Sequence, residues 1–439
     1  MTELMKRLLV VAVVLFAIGV AIADGKTTLP LSEEQKKLNV ESFDYVWTAV
    51  RDRHFDPTLG GLDWDAIGKE YRPKVEQAQT MAEARIAMEA MLDRLGESHF
   101  GIIPSEAYGS LGETDMGAGK GDGTAGIEAR IVDGHAMVTR IDPGSAAEKA
   151  GVKTGWLIGR IGNEDVDALL KTWTEQIAEK SLKTALIAGG IEGRLAGNIG
   201  DSLAVRFLDG DDKPVDLTLT LAERRGKRTV LGNLPPVYVW IESKKLPGDI
   251  GYVRFSNFLN PGYVSVEYNK AMESFLDGKG IIIDVRGNTG GLGGMVPGTI
   301  GWLVSEDDKK IGTLYLRGTT IDLLVTQRVK TFSGPVAVLT DCLSASAAEF
   351  FSGGLKDTGR AKVFGTRTAG AALAARIDKL PNGDGFMYVM ANYVSANGKR
   401  LEGVGVIPDV EVAPDRKALL AGRDPVIDAA VKWIEQGGK

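Results

Sequence analysis

Residues Ile281-Ile-Ile-Asp-Val-Arg-Gly-Asn-Thr-Gly-Gly-Leu-Gly-Gly294 read as a strand that runs out into a turn with closely spaced glycines. An apolar run of this kind suits a strand buried on both faces of a sheet. Glycines at its end let backbone approach a ligand closely and can aim N–H groups at one point. The same composition also serves an ordinary tight loop. A second stretch, Thr340-Asp-Cys-Leu-Ser-Ala-Ser-Ala-Ala-Glu-Phe-Phe-Ser-Gly-Gly354, reads as strand, turn and helix. Small residues at the helix start place a hydroxyl where the dipole and free amides favour developing negative charge. Taken alone, a serine there is more often an N-cap.

Working outward, residues 250 to 412 keep an α/β pattern. Ile250-Gly-Tyr-Val-Arg-Phe is followed by a helix to Leu276, then by Gly280-Ile-Ile-Ile-Asp-Val and Pro335-Val-Ala-Val-Leu-Thr. A final helix from Asp424 to Gln436 closes this unit. Upstream, from about Leu31 to Leu95, apolar residues fall at helical spacing, as in Phe43, Val46, Trp47 and Val50. That helical region ends in Gly96-Glu-Ser-His-Phe-Gly101, whose glycines leave Ser98 and His99 on a turn. Between the two regions, Met116 to Gly126 is glycine-rich and holds a formal GxGxxG at Gly121, Gly123 and Gly126. A dinucleotide site needs a strand before that motif and a helix after it. Here Ile127-Glu-Ala-Arg-Ile-Val alternates like a strand immediately afterwards, so the stretch reads as a linker into a small β domain reaching about residue 222.

Bulk properties narrow the options further. The chain of 439 residues is too long for one core. Met1 to Ala23 has the charged, apolar and Ala-x-Ala order of a secretory signal peptide, cleaved after Ala23, with a retained anchor as the alternative. An exported protein, periplasmic or secreted, is expected, touching the membrane only transiently through that segment. One cysteine, Cys342, excludes an internal disulfide. The net charge of −6 gives no reason to expect nucleic acid, and three scattered histidines supply no transition-metal cluster. No cofactor is expected, and oligomeric state is not legible.

Strand-Asp-x-Arg-x-Asn-x-Gly-Gly followed by Ser-Ala-Ser-Ala-Ala-Glu resembles the active-site core of the C-terminal-processing (tail-specific) and tricorn-like serine peptidases. The resemblance extends from about residue 40 to the last helix and includes Phe364-Gly-Thr-Arg-Thr-Ala-Gly370 and Leu401-Glu-Gly-Val-Gly-Val-Ile-Pro-Asp409. It implies a multidomain α/β fold: a signal peptide at 1–23, an N-terminal helical domain at 24–110, a PDZ-like β domain at 115–222 and, at 236–439, an α/β catalytic core of ClpP/crotonase-like type. Asp142-Pro-Gly-Ser-Ala-Ala-Glu-Lys-Ala-Gly151 carries the PDZ resemblance, while Trp156 and a helical insert from about Ala168 to Gly193 depart from it. In an intact groove, amides around Ala125, Gly126 and Ile127 would receive a peptide carboxylate. The resemblance further implies Ser346 as nucleophile and an oxyanion hole from the amide of Ala347 with that of Gly290 or Gly291. Ser344 becomes a packing or capping neighbour, Glu349 a positioning residue, and Asp284 and Arg286 buried partners that hold the glycine loop.

A serine hydroxyl needs a base. The best-known branch of the family places a lysine 25 residues after the serine, and here that position is Ala371. Lys362 and Lys379 lie nearby but are expected in exposed ion pairs. The tricorn-like branch uses a histidine preceded by serine and linked to a distant glutamate, and Ser98, His99 and Glu402 match that pattern. An imidazole is suited to accept a proton at neutral pH without the strong desolvation a lysine needs. His54 and His135 are read as structural. The expected activity is hydrolysis of peptide bonds in peptides or unfolded protein segments. The alternative is a peptidase-like fold kept as a binding protein for a hydrophobic ligand or peptide.

Overall fold

The computed structural model describes residues 30–108, 121–177 and 181–438. The signal-like segment and residues 116–120 of the glycine-rich link lie outside the described residues.

A six-stranded sheet organises the carboxy-terminal half. Its strands lie in chain order: β1 (Ile241–Leu246), β2 (Ile250–Phe255), β3 (Gly280–Asp284), β4 (Val336–Thr340), β5 (Lys362–Gly365) and β6 (Val410–Glu411). β1 pairs antiparallel with β2, and every later pair is parallel. Alternation along β3 and β4 explains their unbroken apolar sequences. Ile281, Ile283, Val336 and Val338 enter the main core with the helices α1 (Pro261–Phe275) and α2 (Ala347–Asp357), through side chains such as Met272 and Phe351. Ile282, Ala337 and Leu339 face the other way, against Val426, Ala430 and Ile434 of α3 (Pro425–Glu435). With helices on both faces, neither side of these strands can be polar.

A second, antiparallel sheet packs on the same core. It joins Gly101–Ile103, Gly385–Ser395, Lys310–Leu316 and Thr319–Leu324, with Leu373–Lys379 also paired to Gly385–Ser395. Three helices, Glu33–Arg53, Trp64–Glu76 and Met81–Leu92, form a cluster that shares Leu380, Phe386 and Tyr388 with that sheet. The helical unit is thereby seated against the strand that pairs with Gly101–Ile103, and the turn at residues 96–100 is fixed at the junction. A separate sheet of Ile127–Val132, His135–Ile141, Leu157–Ile161, Ser202–Leu208 and Pro214–Thr220 has its own core, to which the helices Val166–Gln176 and Lys183–Arg194 contribute.

Because the parallel strands all point the same way, the loops after β2, β3 and β4 emerge side by side. Asn288 stitches them together: Nδ2 donates to Phe255 O at 3.0 Å, Oδ1 accepts from Gly290 N–H at 2.9 Å, and its own carbonyl accepts from Ala345 N–H at 3.0 Å. Phe351, fully buried and 5.8 Å from the ring of Phe258, lies beneath this edge. Phe351→Ala is expected to cost about 3–5 kcal/mol, read as a lowered urea midpoint for loss of the far-UV signal. An unchanged midpoint would show that this core does not hold the sheet.

Candidate active site

Ser346 is the N-cap of α2, with φ 53° and ψ −117°. A serine avoids this region unless its surroundings impose it. Two bonds to its amide supply the constraint: Ser346 N–H donates to Ala371 O at 2.8 Å and to Glu349 Oε2 at 3.0 Å. Glu349, one helical turn on, also accepts from Thr368 Oγ1 at 2.6 Å, Gly370 N–H at 2.8 Å and Ala371 N–H at 2.9 Å. Burial pushes its pKa up to about 7, the nearby Glu402 adding to the rise, while these donors pull it back.

His99 has φ 62°, the second strained residue of the site. Its Nδ1 lies 2.6 Å from Ser98 Oγ, which lies 2.9 Å from Glu402 Oε2. Ser98 N–H donates to Glu402 Oε1 at 2.8 Å, and Ala372 N–H donates to Oε2 at 2.8 Å. A carboxylate can only accept, so the Ser98 hydroxyl hydrogen points to Glu402 and Nδ1–H donates to Ser98 Oγ. Nε2 is left with a lone pair, the tautomer a general base requires. Burial raises the pKa of Glu402, and the donors from Ser98 and Ala372 oppose that rise.

Ser98, His99 and Glu402 are thus in direct contact, and Ser346 joins them through the consecutive residues Ala371 and Ala372. Among the described residues no hydrogen bond links the Ser346 hydroxyl to the imidazole. Catalytic contacts are often open before substrate binds. Ser346 and His99 are only 2% and 3% exposed.

In the glycine loop, Gly290 N–H is committed to Asn288 Oδ1. Phe258 pairs with Gly291 as an isolated parallel bridge, its N–H bonded to Gly290 O and its carbonyl to Leu292 N–H. That pattern leaves the Gly291 amide without an acceptor among the described residues, and the same holds for Ala347, the first residue of α2. A Cβ on Gly291 would stand 2.4 Å from Phe258 O, so only glycine fits there. Asp284, fully buried, binds Arg286 through both oxygens and accepts from Tyr252 Oη. The two arginines beside it, Arg286 and Arg254, hold its carboxyl well below the usual range against the cost of burial. Ser344 Oγ ties Val285 O to Asp341 N–H, a bracing role.

Other expected residues are placed differently. Ala125 N–H donates to Leu195 O and Gly126 N–H to Thr124 Oγ1, so neither is free for a peptide carboxylate. Ile127 opens the strand that pairs through Ile141. Two positions on, Ala129 N–H donates to Glu192 of the insert helix Lys183–Arg194, and Ala129 O accepts from Arg130 Nη1. The insert closes the cradle that its own sequence made doubtful. The same helix packs Ala185 and Ala188 against Leu343, Ala345, Ala369 and Ala371, which flank Ser346. Lys362 and Lys379 make no ion pair among the described residues. Their ammonium groups lie over Trp433 and Tyr108 at 5.4 Å each. His54 is buried and bonds Glu97 Oε2 at 2.8 Å, which pins the turn before Ser98, and His135 pairs with Asp167 on the surface. Sequence reasoning assigned nothing to Asn288 or Thr368. Each nonetheless lay in a quoted motif, Asn288 in Asp-x-Arg-x-Asn and Thr368 in Phe364–Gly370, which was the available signal.

Residues 249–412 match the profile of peptidase family S41, and residues 39–93 match that of the tricorn protease C1 domain. The chain is 25% identical over 409 residues to carboxyl-terminal-processing peptidase 3, chloroplastic, of Arabidopsis thaliana, covering 91% of this chain and 74% of that one. It is 27% identical over 407 residues to the carboxyl-terminal-processing protease of a Synechocystis species, covering 89% and 84%. The solved photosystem II D1 C-terminal processing protease shares the fold with a TM-score of 0.56 at 20% identity, over 89% of this chain and 95% of that one. The chain thus carries a peptidase family S41 domain, is similar to the C-terminal-processing and tricorn-like serine peptidases, and is a serine-type peptidase.

Burial lowers the pKa of His99 from 6.5 to about 4. Only the neutral ring can take a proton, so this shift keeps it competent through the mildly acidic range. The folded protein binds fewer protons here than the unfolded chain between those two values. The resulting stability is therefore full above pH 6.5 and is lost as the pH falls toward 4. An NMR titration of the His99 Cε1–H resonance, assigned by its loss in His99→Ala, is expected to show a midpoint near 4. A midpoint at the ordinary value would mean that water reaches the ring.

Proposed function

We propose that the protein is an exported peptidase that cleaves peptides or unfolded protein segments near their carboxyl ends, with Ser346 as nucleophile and His99 as base. In this reading, residues 24–110 form the helical domain that supplies Ser98 and His99. Residues 115–222 form a PDZ-like domain, and residues 236–439 a catalytic core of ClpP/crotonase-like type. The observation that carries the reading is the unbroken contact from Glu402 through Ser98 to His99 Nδ1, in a chain whose family lysine position is Ala371.

The chemistry follows from the groups in place. His99 Nε2 takes the Ser346 proton as Oγ attacks the scissile carbonyl, and the negative charge that forms on the carbonyl oxygen is received by the Gly291 and Ala347 amides. His99 then gives its proton to the leaving amine, and a water molecule, activated in the same way, hydrolyses the acyl-enzyme. Glu402, acting through Ser98, orients the ring and stabilises its charged form.

The rival reading, a binding protein, draws support from the near-complete burial of Ser346 and His99. A fluorophosphonate probe separates the two. Labelling is expected on Ser346 and absent in Ser346→Ala, whereas a protein that does not label is not a serine hydrolase. His99→Ala is expected to lower kcat by at least ~10³-fold with the fold intact, because the base is lost and no core is removed. Activity within tenfold of the parent would refute the histidine assignment.

A further inference from the structure

One buried side chain beside the glycine loop has no partner. Asn257 lies just past the carboxyl end of β2 and is 5% exposed. Its Oδ1 meets no donor, and among the described residues its Nδ2 meets no acceptor. Its neighbours are all engaged. Ser256 Oγ accepts from Trp240 N–H at 3.1 Å, Phe258 is bonded on both sides to the glycine loop, and Asn260 Nδ2 donates to Thr229 Oγ1 at 3.1 Å.

Position makes this vacancy informative. Phe258 is the residue bridged to Gly291, whose amide is itself unengaged, so Asn257 is one residue from the segment that borders the candidate oxyanion site. The Phe255 carbonyl, two residues back, is held by Asn288, which also holds Ala345 next to the nucleophile. A buried amide oxygen left without a donor costs roughly 1–3 kcal/mol, and such groups persist in native proteins where a ligand or water completes them. A carboxamide offers a donor and an acceptor in one plane, the complement of the N–H and C=O that an extended peptide presents.

We infer that Asn257 is a substrate-binding residue whose side-chain amide pairs with the backbone of a peptide laid across the glycine loop. This assignment rests on the peptidase reading above and adds to it the group that recognises main chain rather than side chain. Such recognition is sequence-tolerant, because every residue presents the same backbone groups.

The test compares Asn257→Ala and Asn257→Leu with the parent, using a peptide substrate and the fluorophosphonate probe. The probe reports Ser346 reactivity without a peptide backbone. Peptide kcat/KM is expected to fall by roughly ten- to a hundredfold, chiefly through KM, while the labelling rate stays within twofold. A kcat/KM within twofold of the parent overturns the inference, as does a labelling rate that falls in step with peptide hydrolysis. Should Asn257→Ala lower the melting temperature, the near-isosteric Asn257→Leu, which loses both donor and acceptor without leaving a cavity or an unpaired charge, carries the comparison. If the parent itself fails to label, the peptidase reading falls separately. Fluorescence anisotropy with the same peptide then tests Asn257 alone: weaker binding by Asn257→Leu supports the pairing, and equal affinity overturns it.

Discussion

Two buried carboxylates grip one short segment, and the site is arranged around that grip. Glu349 holds the amides of Gly370 and Ala371, while Glu402 holds the next amide, that of Ala372. From these anchor points Glu349 reaches Ser346 N–H and Glu402 reaches Ser98. Residues separated by more than two hundred positions in the chain are thereby referenced to the same three peptide units. Burying two acids so close together is costly, and each is compensated by main-chain donors rather than by a cation. Most of these donors are main-chain amides with no rotamer of their own, so the strained dihedrals of Ser346 and His99 are held largely by the fold itself.

Much of this was legible in the sequence, for identifiable reasons. The apolar runs of β3 and β4 could only be strands covered on both faces, and the spacing of glycines after β3 marked the loop. Gly96, at φ 67°, ends the helical region two residues before Ser98, as its sequence suggested. The motif residues Ser98, His99, Glu402 and Ser346 could be named and joined only through the family resemblance, because contacts across the whole chain leave no local pattern. What misled was composition without context. The amides of Ala125 and Gly126 seemed open, yet the first donates to Leu195, the residue after the insert helix, and the second to Thr124 Oγ1. Lys362 and Lys379 were expected to seek carboxylates and instead lie over aromatic rings.

Away from the nucleophile, charge rather than apolar area joins the small β sheet to the large one. Glu128 accepts from Arg140 at 2.9 Å and from Arg254 at 2.7 Å, and Arg130 reaches Asp341, whose Oδ1 takes the amides of Gly287 and Leu343. A cavity of about 220 Å³ opens within this network, lined by Arg140, Arg254, Arg286, Glu128 and Glu242 among others, and by neither Ser346 nor His99. Removing one member of such a network strands its partner, at a cost of about 3–5 kcal/mol for a buried pair. Through Asp341 the junction bears on the glycine loop and the nucleophile loop together.

The contact between the insert helix and the nucleophile flank is made almost wholly of alanine. Ala185, Ala188, Ala345, Ala369 and Ala371 are each at most 2% exposed. Methyl groups have no rotamers to exchange, so this seam cannot adapt by reshuffling side chains. It can only slide or part as a rigid plate, and a larger residue on one side would demand room that the opposite backbone would have to give. Sequence drift along the seam is therefore expected to be coupled across it, each enlargement matched by a loss elsewhere.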